Sequence, residues 1–215
     1  MLEIKLNVVN KREFEENHNY REVIIRLPKS EEELKKDFEY LGLDYKNLSI
    51  QDSHILDCEV IVSDDPHFSG AMSTELSNII DRASDLGWTT PYQDIKSMYA
   101  ILTFLNEDER DKLLAVLEFK REQISNMKDA VKYGNNLNRF EFYNNIHSAE
   151  DYAEKLIDDG DVNAQDIIDY IDLERLGDDY YKSEEGVFTN QGLIFEREYI
   201  DRMIRNERDN EEEFE

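Results

Sequence analysis

The groups in this chain best equipped for chemistry are carboxylates, and they are crowded. Asp151, Glu154, Asp158, Asp159, Asp161, Asp166, Asp169, Asp172, Glu174, Asp178 and Asp179 fill almost every position from 148 to 181 that an apolar residue does not occupy. Such a set could ligate a divalent cation, transfer protons, or present a fixed negative surface to a cationic partner. Asp158-Asp-Gly-Asp161, with Asp166 beyond it, offers oxygen ligands, but its order of acids and glycine is not that of the helix-loop-helix calcium site. It reads better as a solvated helix end. A metal-dependent enzyme built on residues 158–172 is the remote alternative, and it predicts stoichiometric cation binding.

The other constellations are thinner. Cys58 follows His54 by four residues in a strand-like stretch, where such positions share a face yet stand roughly 13 Å apart. Cys58 therefore reads as a small buried thiol. His18, His67 and His147 are scattered and form no zinc-binding pair on a helix. Glu118-Phe-Lys120 matches half of a metal-dependent nuclease motif, but it lies in a helical pattern with no Pro-Asp pair on a strand upstream. Asp64-Asp-Pro-His67 reads as a turn. The eight glycines are dispersed, which leaves no phosphate-cradling loop. Neither a catalytic residue nor a cofactor or metal is expected.

Charge decides among the remaining chemistries. The 215 residues include 51 Asp and Glu against 25 Lys and Arg, a net charge of −26. Binding to nucleic acid is driven by cationic side chains that displace counterions from phosphates, so this balance excludes it. The same sign argues against docking on anionic membranes. Disorder is excluded by 40% hydrophobic and 11% aromatic residues. No apolar run approaches the roughly 18 residues that span a bilayer, the N-terminal residues lack a signal-peptide pattern, and a single cysteine suits a reducing compartment. A cytoplasmic protein is expected. The surplus is uneven: residues 141–215 hold 24 acids and 7 bases, and within 141–185 only Lys155, Arg175 and Lys182 oppose 15 acids.

The elements that must position these acids can be read from periodicity. Leu2, Ile4, Leu6 and Val8 alternate with polar residues, and Tyr20–Leu27 forms a second strand-like run closed by Pro28. Ser30 with Glu33 makes a capping box for a helix carrying Leu34, Phe38 and Leu41 and stopped by Gly42. Leu48–Ile50 and Ile55–Val62 supply further strand material. From about 71 to 134 the period becomes helical. A first stripe runs through Leu76, Ile79, Ile80, Ala83 and Leu86; Thr90-Pro91 opens a second helix as N-cap and first-turn proline; Asn106 with Glu109 caps a third; a fourth ends at Gly134. Short connections imply a small bundle. Next come a strand at Arg139–Asn145, a helix capped by Ser148 and Asp151, helical material at Ile167–Ile171 and from Leu173 to Tyr180, and a hairpin turning at Asn190-Gln-Gly192.

This predicts an α+β fold in three small subdomains: residues 1–70 with antiparallel strands, 71–134 helical, 135–196 acidic α+β, followed by an acidic extension over 197–215. Ordinary helix faces mix both signs, and unopposed like charges destabilise the folded state. The acidic run therefore points to an external cationic partner. A groove built for DNA is the natural one: two copies carry 52 net charges, which DNA's spacing of about 1.7 Å per charge converts to roughly 90 Å of duplex. Acidity can also serve solubility or adaptation to high salt, although 13 lysines and abundant Ile, Phe and Tyr weigh against the latter.

Particular strings then carry a family resemblance. Ser148-Ala-Glu-Asp-Tyr-Ala-Glu-Lys-Leu-Ile-Asp-Asp-Gly160, Tyr170-Ile-Asp-Leu-Glu-Arg-Leu-Gly-Asp-Asp-Tyr180 and Val187-Phe-Thr-Asn-Gln-Gly-Leu-Ile-Phe195 resemble the C-terminal domain of ArdA-type antirestriction proteins. Arg26-Leu-Pro28 and Leu48-Ser-Ile-Gln-Asp52 resemble its N-terminal portion. The resemblance implies an elongated DNA-mimicking inhibitor encoded on a mobile genetic element, homodimeric through its C-terminal region. Its implied partner is the methyltransferase and specificity core of a type I restriction-modification enzyme, whose DNA groove it fills. The family's antirestriction segment would fall on Leu156–Asp161, running towards Ile167. The chain departs from the family at Asp178, where Arg is frequent, at Asn190 and Gln191, near which Ser and His occur, and in the extension after Arg197. Those departures leave open another target, a CRISPR effector or a different DNA-binding defence or regulatory protein.

Overall fold

The computed structural model describes residues 1–16, 20–44, 53–88, 90–160 and 172–196. Within them the fold is α+β: eight α-helices and two three-stranded antiparallel sheets. The chain divides into two compact units, residues 1–110 with 120–135, and residues 111–119 with 136–215. The sequence expectations at Leu48–Ile50 and Ile167–Ile171 and in the extension fall outside the described residues.

In the first unit, β1 (Leu2–Asn10) lies between β2 (Glu22–Leu27) and β3 (Ser53–Val62). Ile4, Leu6 and Val8 point into the core with Ile25 and Leu27 of β2, as their alternation requires. Strand β3 changes parity on the way: Ser53 and Ile55 are buried at its start, and Cys58, Val60 and Val62 further on. The cause is a bulge. Val8 pairs with Ile55 while the adjacent Asn7 pairs with Asp57, so Leu56 is the extra residue. Helix α1 (Lys11–Glu16) follows β1 directly. Helix α2 (Glu31–Tyr40) has the expected reciprocal capping box between Ser30 and Glu33 and buries Leu34 and Phe38.

Helix α3 (Pro66–Asp85) starts earlier than the periodicity suggested. Asp64-Asp-Pro-His67 is a helix entry: the Asp65 carboxylate accepts from Phe68 N at 2.9 Å, and Pro66, lacking an N–H, opens the first turn. The stripe also ends sooner, because the helix stops at Asp85 and Leu86 is exposed. The helix packs on β3 rather than on helices alone. Ser69 Oγ accepts from Val62 N and Ser73 Oγ accepts from Val60 N, each at 2.8 Å, while both hydroxyls donate at 2.7 Å to the carbonyl four residues back in the helix. Ser77 reverses the sense and donates to Cys58 O at 3.2 Å. Three serines one turn apart thus satisfy the outer edge of β3. We expect Ser73→Ala, which strands the Val60 N–H, to cost about 1–3 kcal/mol in a denaturant titration. Ser97→Ala, on an exposed hydroxyl bonded to its own helix, should be near neutral.

Helix α4 (Tyr92–Phe104) begins one residue later than expected. Pro91 itself holds the N-cap position with extended dihedrals, so the Thr90 side chain does not cap and is buried instead. Helix α5 (Glu107–Phe119) has the expected reciprocal cap, Glu109 N to Asn106 Oδ1 and Asn106 N to Glu109 Oε2, both 3.0 Å. Helix α6 (Met127–Gly134) packs against α4 and α3.

In the second unit β6 (Gly192–Glu196) is central between β4 (Phe140–Tyr143) and β5 (Val187–Thr189). The hairpin closes at Thr189 opposite Gly192, with Asn190 and Gln191 in the turn. Gly192 adopts φ 142°, and a Cβ there would stand 2.3 Å from Tyr143 O. Leu193 and Phe195 of β6 form a core with Ile146, Tyr152 and Leu156, flanked by the partly buried Tyr143, Tyr180, Tyr181 and Phe188. Tyr152 and Leu156 come from α7 (Ala149–Asp158), and Tyr180 and Tyr181 from α8 (Leu173–Ser183).

Candidate partner-binding surface

Helices α7 and α8 carry the described acidic positions, and sequence-local signals fix each end. Ser148 and Asp151 form a reciprocal capping box, Asp151 N to Ser148 Oγ at 3.1 Å and Ser148 N to Asp151 Oδ2 at 3.0 Å. Asp172 caps α8 by accepting from Arg175 N at 3.0 Å. The helices pack together at Gly177, where a Cβ would lie 1.6 Å from the backbone oxygen of Ala149. No other residue type fits that contact without moving a backbone. The glycine in the Tyr-Ile-Asp-Leu-Glu-Arg-Leu-Gly string is therefore a packing residue, a role its sequence context did not disclose.

The structure sorts the acids into two groups. Asp151 and Asp172 serve helix N-termini, Asp159 pairs with Lys155 across one turn, and Asp178 pairs with Lys182. Glu154, Asp158, Glu174 and Asp179 are exposed and have no ion-pair partner among the described residues. Glu154 and Asp158 stand one turn apart on the α7 face opposite Tyr152 and Leu156, a like-charge spacing that costs the isolated helix a few tenths of a kcal/mol. Asp161, Asp166 and Asp169 lie outside the described residues. Of the bases, Lys155 also sits 4.8 Å from the centre of the Tyr143 ring, and Lys182 sits 5.5 Å from that of Tyr181. Lys155 and Lys182 are thus held close to the protein, whereas Arg175 is exposed.

Electrostatics follow this division. The His147 backbone N–H, bonded at 2.9 Å, holds the Asp151 carboxyl below the usual carboxylate range, with help from Ser148. Its bond to Lys182 does the same for Asp178. Because the folded value for Asp151 is depressed, its contribution is present above the unfolded carboxylate range and is lost as pH falls through the folded value. Asp151→Asn should therefore melt below wild type at neutral pH, and the gap should close on acidification below about pH 4. A thermal-melt series over pH reads this directly.

The other sequence candidates have structural roles. Burial raises the Cys58 thiol to about 12, so it stays protonated, and His54 stacks near Phe14 with ring centres 5.5 Å apart. Glu118 faces the hairpin turn, its carboxylate accepting from Asn190 N at 3.2 Å. Lys120 is buried beyond the end of α5. Among the described residues no three His, Cys, Asp or Glu side chains are grouped to hold a metal ion, and no helix is long and apolar enough to cross a membrane.

What this surface can do chemically is present carboxylates, on two helices in backbone contact, to a cationic groove. Against known families, a model described as antirestriction protein (ArdA) matches residues 16–195. That span includes both helices, β2 and β3 of the first sheet and all of the second sheet but Glu196, whereas β1 lies before it. No curated protein matches the chain.

Proposed function

We propose, from the premise that this chain belongs to the ArdA family of antirestriction proteins, that it is a DNA mimic. It fills the DNA groove of the methyltransferase and specificity core of a type I restriction-modification enzyme and so protects unmodified DNA. The observation that carries this reading is the outward set Glu154, Asp158, Glu174 and Asp179, of which Glu154 and Asp158 repel within one turn and none gains an ion-pair partner among the described residues. Charges kept at a cost to the fold have their use outside it. The protein acts by occupancy, as a cytoplasmic homodimer, without a catalytic step, cofactor or metal, and binds neither nucleic acid nor membrane. The acidic C-terminal segment 135–196 is the mimic in this reading, and segments 1–70 and 71–134 support it.

Mass-resolved gel filtration with and without the methyltransferase core tests the proposal. We expect a stable complex at low salt that dissociates as salt rises. No complex at low salt, or one indifferent to salt, would end it. Neutralising Asp158, Asp159 and Asp161 together should weaken inhibition more than any single change. A second reading keeps the mimicry and changes the target to a CRISPR effector or another DNA-binding defence or regulatory protein. It is favoured by the acidic residues 197–215, which lie beyond the matched span. Transformation assays in hosts that differ only in their defence system separate the two.

A further inference from the structure

The two edges of the first sheet are treated differently. Ser69, Ser73 and Ser77 cover the outer edge of β3, whereas among the described residues β2 pairs with β1 alone. An uncovered edge is a template for another strand. The side chains of β2 that face away from the core are Glu22, Ile24 and Arg26, and Ile24 is 57% exposed although it is the large apolar residue of the three.

We propose that β2 pairs with β2 of a second copy, antiparallel and centred on Ile24. Two-fold symmetry then sets Ile24 against Ile24, and Glu22 of each copy against Arg26 of the other. Opposite charges meet at both ends and apolar residues meet on the axis. Few six-residue strands are self-complementary in this way, because an isologous contact requires each residue to match its own mirror position. Arg26 is ion-paired with Glu3 of its own chain at 2.6 Å, so the approaching Glu22 shares its guanidinium with that carboxylate. The contact is distinct from the C-terminal dimer contact implied by the family resemblance, and the two together would join dimers. A strand of this length buries less than the roughly 1,200 Å² of a stable interface, so association is weak. It tightens with salt, because screening relieves the repulsion between chains of net charge −26. Target binding has the opposite salt dependence, so the two can fail independently.

Cysteine trapping tests the register, and the buried, protonated Cys58 leaves the background low. Under mild oxidation Ile24→Cys should give a disulfide-linked dimer several-fold faster than Thr74→Cys, an exposed site on α3. An equimolar mixture of Glu22→Cys and Arg26→Cys should give the mixed dimer in excess over either homodimer. Ile24→Lys, exposed and so compatible with folding, should reduce self-association in sedimentation equilibrium at high salt while circular dichroism is unchanged. The proposal is overturned if Ile24→Cys traps no faster than Thr74→Cys, if the mixture shows no preference, or if Ile24→Lys associates like wild type. An edge covered by another segment of the same chain gives the first result.

Discussion

Gly177→Ala is expected to cost about 3 kcal/mol or more, at or beyond the top of the usual range for overpacking. The added methyl would meet Ala149 O at 1.6 Å and its carbonyl carbon at 2.4 Å. These are backbone atoms in the first turn of α7, so no rotamer change relieves the contact. Either the helices separate or the α7 N-terminus shifts. Separation withdraws Tyr152 and Leu156 on one side, or Tyr180 and Tyr181 on the other, from Leu193 and Phe195. The loss is a large part of a total stability of roughly 5–15 kcal/mol. Gly70→Ala provides the opposite sign: it lies inside α3 with nothing within 4 Å of the added atom. That change should stabilise by about 0.5–1 kcal/mol, because alanine loses less backbone entropy. Thermal melts of both variants, with amide exchange to locate the loss in α7 and α8, decide the matter. Equal melting of Gly177→Ala and wild type would show that the close approach is not held in solution.

Neutralising Glu154, Asp158, Glu174 and Asp179 together, as Gln and Asn, should weaken binding to the restriction enzyme core by 100-fold or more at low salt. That factor corresponds to about 2.8 kcal/mol spread over four charges, ordinary for side chains that steer and seat an electrostatic complex. The salt dependence should flatten as well. Stability should hold or rise slightly, because Glu154 and Asp158 repel each other within one turn. Asp151→Ala and Asp172→Ala should do the reverse, destabilising through lost caps with less effect on binding per folded molecule. If the fourfold variant binds as tightly as wild type with the same salt slope, these helices are not the mimic.

Much of this was legible in the sequence because local chemistry acts locally. Ser30 with Glu33, Asn106 with Glu109, and Ser148 with Asp151 each mark a helix start, since a short polar side chain reaches an unpaired N–H three residues on. Alternation placed β1 and β2, and Gly192 placed the hairpin turn. What could not be read depends on a second segment of chain. The parity change at Leu56 exists only against the register of β1. The frame shift at Pro91 depends on Thr90 being drawn into the interior. Composition marked all the acids of residues 148–181 as equivalent. The capping box singles out Asp151, but only coordinates separate Asp159, Asp172 and Asp178, engaged at a helix end and with lysines, from the four that face outward.

The serine seal on β3 also carries its own limit. Four residues of helix advance about 6.0 Å, whereas two residues of strand advance about 6.8 Å. The two repeats nearly match, and each of the three hydroxyls lies 3.2 Å from the strand carbonyl it faces. Ser69 and Ser73 are in phase with Val62 and Val60. At Ser77 the hydroxyl meets the carbonyl alone, at 3.2 Å, because the Cys58 N–H already donates to the Asp57 carboxylate at 2.9 Å. The next strand residues inward reach the bulge at Leu56, where straight pairing stops anyway. The straight part of β3 thus offers three steps, one to each of Ser69, Ser73 and Ser77, and it is the bulge that sets the length of the sealed edge.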